Sequence, residues 1–125
     1  MMAKPKMLFL DDRSKRIHAA LKQYQYSGLY DVTIVATVVE CLRFLSSEDW
    51  TFVSLDHDLG GEEFVDPSSK TCGMEIVRYL ELGWPSGKQK PNFIVHSSNA
   101  FAGENMANRL RKMGFYAHWE RFEYV

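Results

Sequence analysis

Three short clusters in this sequence carry side chains that can move protons, hold cations or grip an anion: Asp11-Asp12-Arg13, Asp56-His57-Asp58 and His96-Ser97-Ser98-Asn99. Imidazole titrates near neutral pH, so two histidines sharing a pocket can divide the work, one as base and the other as acid. His57 and His96 are the candidates for that pair, with Asp56 beside them. Asp11, Asp12 and Asp56, with Asp58 close by, are hard oxygen donors suited to Mg²⁺ or Mn²⁺, ions that keep several of their waters. Carboxylates so crowded repel one another when ionised, and a cation or a basic side chain must offset them. Arg13 can be that partner, or it can fork onto a substrate phosphate. Ser97, Ser98 and Asn99 lead into a helix start, whose free N–H groups favour an anion, and one of them capping the helix is compatible with that role. Plainer roles stand beside these. Either histidine can hydrogen-bond backbone at a strand end, and Asp12 and Asp58 can cap loops. His57-Asp58 is also an HD dipeptide, but helical HD metal sites are a poor template for a pair that ends a strand.

The elements that must position these clusters alternate. Met7–Leu10 is a short apolar run of the kind that suits a buried parallel strand. Ser14 can open a helix with Ile17, Ala20, Leu21 and Tyr24 on one face, closed by Gly28. Residues 32–36 (VTIVA) form a second strand. Thr37 and Glu40 make a capping box for a helix that turns Val38, Leu42 and Leu45 inward. Residues 51–55 form a third strand, and Leu59–Cys72 is a long Gly-, Ser- and acid-rich loop, a length often given to binding lids. A helix over about 73–82 buries Ile76, Val77 and Leu80. Residues 92–95 form a fourth strand, followed by a helix carrying Met106, Leu110 and Met113 and by a fifth strand over 115–119. Strict alternation of strand and helix requires a mostly parallel sheet with right-handed crossovers. Ligands of such sheets bind at the carboxyl ends of the strands, where all three clusters fall.

The chain of 125 residues reads as a single domain over 1–125, and 46% hydrophobic residues suffice for one core. A net charge of -1, from 15 basic and 16 acidic side chains, gives no global field for nucleic acid or an anionic membrane. Arg109, Arg111 and Lys112 complement the end of a helix, and with Lys88 and Lys90 they leave a local nucleic-acid contact open. His18 and His118 carry no role. Cys41 and Cys72 form no CxxC pair and read as free thiols. The apolar stretch near the N-terminus is too short for a signal peptide and nothing approaches membrane-spanning length, so a cytoplasmic location is expected.

The acidic pair after strand one and the aspartate after strand three resemble the two-component receiver domain, over residues 7–119. That resemblance implies an α/β, three-layer receiver-like (flavodoxin-like) fold, with a five-stranded parallel sheet in the order 2-1-3-4-5. It also implies Mg²⁺ held by Asp11 and Asp12, phosphate accepted by Asp56, and a hydroxyl at Ser97. The receiver's strand-five lysine is absent, and the remaining chain leaves the fifth helix missing or truncated. LFLDDR (8–13), LDHDLGG (55–61), the Gly73 region and VHSSNAFAGENM (95–106) are more similar to a receiver-derived group that processes cyclic phosphates. In that group the histidines after strands three and four replace receiver chemistry. The resemblance implies a phosphoesterase or phosphate-binding domain for cyclic phosphate groups on nucleotides or RNA ends. His57, His96 and Asp56 would be catalytic, Arg13, Ser97, Ser98 and Asn99 would bind substrate, and Asp11, Asp12 and Asp56 would hold Mg²⁺ or Mn²⁺. The rival reading is a non-enzymatic receiver-like interaction module, cellular or phage-encoded. Without the fifth helix, apolar sheet or helix surface is expected to be uncovered, for Phe122, Tyr124 and Val125, a second copy or another protein partner to cover.

Overall fold

In the computed structural model, which describes residues 3–59 and 65–121, the expected alternation is present. Strands β1 (Lys6–Leu10), β2 (Asp31–Val35), β3 (Phe52–Leu55), β4 (Asn92–Val95) and β5 (Ala117–Trp119) form one parallel sheet in the order 2-1-3-4-5. Helices α1 (Ser14–Ala20), α2 (Val38–Ser47), α3 (Met74–Glu81) and α4 (Ala100–Lys112) join them. α1 runs on from Leu21 to Gln25 as a π-helix. No helix follows β5 among the described residues. The tail residues Phe122, Tyr124 and Val125, and the Gly60-Gly61 end of the LDHDLGG segment, lie outside them.

The two faces of the sheet are covered unequally. Side chains alternate along each strand, so every strand feeds both layers. Leu8, Leu10, Val53, Leu55, Phe93 and Val95 build the larger core with α2, α3 and α4. Met7 and Phe9 meet Ala20 on the α1 side, where Val32, Ile34 and Phe52 remain only partly buried.

Local sequence explains the helix starts. Thr37 Oγ1 caps α2 by accepting from the Glu40 N–H at 3.2 Å, and its hydroxyl donates to the Glu40 carboxylate at 3.1 Å, so the two residues pair at the helix start through the Thr37 side chain. Ser14 opens α1, as its first helical residue rather than its cap, and Arg13 takes the cap position. Both edges of the sheet are occupied by side chains. Gln25 Oε1 accepts from the Val32 N–H of β2 at 2.7 Å, and Arg111 Nη1 donates to the Ala117 carbonyl of β5 at 2.7 Å.

Gly103 gives α4 a bare patch on which the Trp119 indole rests. A Cβ there would stand 2.2 Å from Cδ1 and 2.6 Å from Nε1 of Trp119. That indole donates to the Ser97 carbonyl at 2.7 Å. In Gly103→Ala the ring must lift off and lose this bond, so urea denaturation should show a loss of about 1–3 kcal/mol. The same substitution in a Trp119→Phe background should cost clearly less. An equal cost in both backgrounds would mean that the indole is not what the glycine accommodates.

Candidate functional site

The clusters predicted from sequence meet at the carboxyl edge, but in two groups separated by the sheet. Ser54 and Asp56 share one face of β3, whereas Leu55 and His57 take the other. Ser54 pairs in register with Ile94, and two residues on, His96 lies on the same face. Its Nδ1 is 2.6 Å from Ser54 Oγ, its Nε2 is 3.0 Å from Asp11 Oδ2, and its ring stacks on Phe9 at 4.4 Å. His57 turns to the α3 side, where its Nδ1 is 2.7 Å from Asp58 Oδ1. The expectation that His57 and His96 face one pocket therefore does not hold. Both follow neighbouring strands, but they stand at opposite parity.

On the α1 side a buried polar network is built around Arg16, which is 4% exposed. Its Nη2 donates to Asp56 Oδ2 at 2.9 Å, and its Nε forms an ion pair with Asp11 Oδ2 at 2.8 Å without aiming its N–H along that contact. Asp11 Oδ1 accepts from the Arg13 N–H, and Asp56 Oδ1 from the His57 N–H, both at 2.9 Å. Arg16, one helical turn into the protein, supplies counter-charge to these acids that the sequence reading did not assign to it. Sequence reading of the helix favoured Ile17 as inward, whereas the buried face of α1 is Arg16, Ala19 and Ala20. The two small alanines beside a long basic side chain are the signal that could have placed Arg16 inward.

These surroundings set the protonation states. Burial works against a charge on Asp11, but the hydrogen bond and charge of His96, the Arg13 N–H and Arg16 hold its carboxyl below the ordinary value. Asp56 goes the other way: burial and the neighbouring Asp11 charge push it up to about 7, with Arg16 only partly offsetting them. Burial also lowers His96, against the pull of Asp11. Its neutral ring donates from Nε2 to ionised Asp11 and accepts from the Ser54 hydroxyl. His57 is raised: burial opposes its charge, but the neighbouring Cys72 thiol and Asp58 outweigh it. The Cys72 thiol is lowered in turn, chiefly by His57 acting against burial.

Loop 65–72 closes over this second group. Asp58 Oδ1 also accepts from the Val65 N–H at 3.0 Å, so Asp58 both caps the loop and orients the histidine. The Gly73 N–H donates to the His57 carbonyl at 2.8 Å. A cleft of about 320 Å³ opens alongside, lined by Asp12, Thr37, Leu59, Lys70 and Thr71, the chain neighbours of Asp11, Asp58 and Cys72 among them. Asp12 therefore stands on a cleft wall. Ser97 and Asn99 serve the start of α4. Ser97 Oγ accepts from the Asn99 N–H at 3.0 Å, and Asn99 Oδ1 accepts from the Ala102 N–H at 3.2 Å. Ser98 is exposed.

One atom each from Asp11, Asp56 and His96 lies within 4.8 Å of the others, a spacing that could gather a metal ion. However, both oxygens of Asp11 and both of Asp56 already face protein donors. With the guanidinium across the two carboxylates, the side chains as arranged do not fit a divalent cation.

A family model described as the cyclic-phosphate processing receiver domain matches residues 6–112. No curated protein matches the chain. Solved structures resemble it at low identity. One is a response regulator receiver domain (CheY-like) from Methanospirillum hungatei JF-1, with TM-score 0.65 and 19% identity, covering 95% of this chain and 82% of that one. A CheY-like receiver domain from Methylobacillus flagellatus gives TM-score 0.65 and 15% identity over 95% and 86%. A Burkholderia pseudomallei response regulator, solved with a phosphorylated aspartic acid, calcium ion and citrate, gives 0.61 and 18% over 93% of this chain and 59% of that chain. These likenesses establish the receiver fold. No helix among the described residues is long and apolar enough to cross a membrane.

Proposed function

This chain belongs to the cyclic-phosphate processing receiver domain family, and from that premise we propose that it binds and opens cyclic phosphate groups on nucleotides or RNA ends at the carboxyl edge of its sheet. The observation that carries the proposal is the buried His57–Asp58 dyad, 2.7 Å apart, with the Cys72 thiol beside the same ring. A base must be held in one orientation and keep one nitrogen for the reacting proton, and Asp58 supplies the first condition. Asp56 lies on the opposite face of β3, bonded to Arg16, and does not share the reacting atoms with His57. In this reading a water oxygen bonds to phosphorus as its proton passes to His57, and the ribose oxygen leaves with a proton from the resulting imidazolium. Lys70 on the cleft wall and Arg13 at the mouth of α1 would meet the phosphate charge. His96 acts through Asp11, as a positioning residue.

Asp11, Asp12 and Asp56 are the residues that would hold Mg²⁺ or Mn²⁺ in a receiver's acidic pocket. Since the guanidinium disfavours that fit, no step here is routed through a metal. Buried free Cys41 and Cys72 suit a reducing cytoplasm, which belongs to the same proposal.

A second reading, a non-enzymatic receiver-like regulatory module, is favoured by one observation: Asp11, Asp56 and His57 are 0% exposed and His96 is 1% exposed. The deciding assay offers 2′,3′-cyclic nucleotides and cyclic-ended RNA oligomers to the protein, in EDTA and in Mg²⁺ or Mn²⁺. Turnover is expected in the wild type and should be lost in His57→Ala while Ser98→Ala retains it. A folded wild type that turns over none of these substrates would favour the regulatory module. A stable adduct on Asp56 after acetyl phosphate treatment would instead indicate ordinary receiver phosphorylation.

A further inference from the structure

We infer that Arg16 is a resident counter-cation: it stands where a receiver-type site would bind a divalent ion and makes the Asp11/Asp56 pair independent of metal. The inference rests on geometry and does not depend on whether the domain turns over any substrate. Arg16 reaches both acids from a buried position, at 2.8 Å to Asp11 Oδ2 and 2.9 Å to Asp56 Oδ2. Asp11 and Asp56 are two of the three residues whose ligand atoms lie within 4.8 Å of one another.

Three physical arguments point the same way. First, two carboxylates with no exposure cannot both ionise without a positive partner, and a guanidinium within ion-pair distance of both provides it permanently. Second, a hard divalent ion binds oxygens at about 2.0–2.1 Å and keeps several waters. The space between Asp11 and Asp56 is filled by a side chain, and the other two oxygens accept the Arg13 and His57 N–H groups. Third, the third candidate ligand is already committed, because His96 lies between Asp11 Oδ2 and Ser54 Oγ. A metal would have to expel the guanidinium, break hydrogen bonds and shed its own waters, all for oxygens that are already neutralised. An arginine is also fixed in charge and in place, whereas a metal comes and goes with its concentration.

Removing the guanidinium should therefore uncover a latent cation site. The probe is Mn²⁺ alone, followed by the electron paramagnetic resonance signal of the free ion and by thermal melts in EDTA and in excess Mn²⁺. Wild type, Arg16→Ala, Arg16→Met and Arg16→Ala/Asp56→Asn are compared. The wild type should bind Mn²⁺ no more tightly than the weak, millimolar end of hard-ion sites, about 10⁻³ M, and its melting temperature should not respond. Arg16→Ala and Arg16→Met should bind at least about tenfold tighter and be stabilised by the ion. The double variant should lose that gain. Tight Mn²⁺ binding by the wild type overturns the inference, as does a folded Arg16→Ala or Arg16→Met with no increase in affinity. If neither variant folds in EDTA, rescue of folding by Mn²⁺ supports the inference and failure of rescue counts against it, with the wild-type isotherm read independently.

Discussion

A Gly73→Ala chain is expected to lose about 4 kcal/mol of stability, enough to unfold a marginal domain. The reason is contact, since the φ of -58° at Gly73 is open to any residue. A Cβ there would lie 1.9 Å from the Asp56 carbonyl oxygen, 2.9 Å from its carbon and 3.0 Å from the His57 Cα. All three are backbone atoms at the end of the central strand β3, so no side chain can swing aside to relieve the clash. The methyl would also pry apart the bond from the Gly73 N–H to the His57 carbonyl, and with it the seat of Asp56 and His57. Gly28→Ala is the natural comparison. Gly28 has φ +81° and open space around it, so alanine there meets only backbone strain, on the order of 1 kcal/mol. Urea denaturation of the two variants measures the difference. Equal small losses would show that the approach of the loop to β3 is slack enough to accept a methyl.

The second large effect concerns pH. In the folded chain the Asp56 carboxyl holds its proton up to about 7, against an ordinary 3.8. Between those values the folded state binds more protons than the unfolded state, so this group makes stability fall as pH rises, and above about 7 its contribution is flat. Conversion of the difference gives on the order of 4 kcal/mol. Other groups tilt the raw curve. His96, lowered in the fold, costs stability as pH drops below its unfolded value near 6.5, which opposes the Asp56 slope. His57, raised in the fold, contributes fully below 6.5 and loses its contribution as pH climbs through its folded value. Asp11, lowered, matters only as pH falls below 3.8. The difference between wild type and Asp56→Asn isolates the term. Relative to the variant, the wild type should lose on the order of 4 kcal/mol between about pH 4 and 7.5. A difference that does not change with pH would return Asp56 to an ordinary carboxylate.

What the sequence made legible was the part governed by local pattern. Apolar runs at 7–10, 51–55 and 92–95, the Thr37–Glu40 box and the alternation of strand and helix lead to a parallel sheet with a carboxyl edge carrying Asp11, Asp56 and His96, while its strand order followed from the resemblance to receiver domains. Parity was harder. His57 and His96 follow neighbouring strands, but which face each takes depends on how Ser54 and Ile94 pair, a tertiary fact. Arg16 was missed for a similar reason. An arginine in the first turn of a helix ordinarily faces water, and only the buried Asp11 and Asp56 make its inward rotamer favourable. The joining of Cys72 to His57 required knowing that a long loop returns to β3 at Gly73, which local propensity does not encode.

The side chains that sit on the sheet margins have a consequence for assembly. An open parallel sheet offers its outer N–H and C=O groups to any extended chain that comes alongside, the route by which copies zip together into fibres. Here Gln25 takes up the Val32 N–H on one border and Arg111 occupies the Ala117 carbonyl on the other, where the strand is three residues long. A chain adding itself at either border must first strip away one of these bonds, so the domain carries its own protection against polymerisation by strand addition, and association between copies is left to its helices and to the half-covered face beside α1.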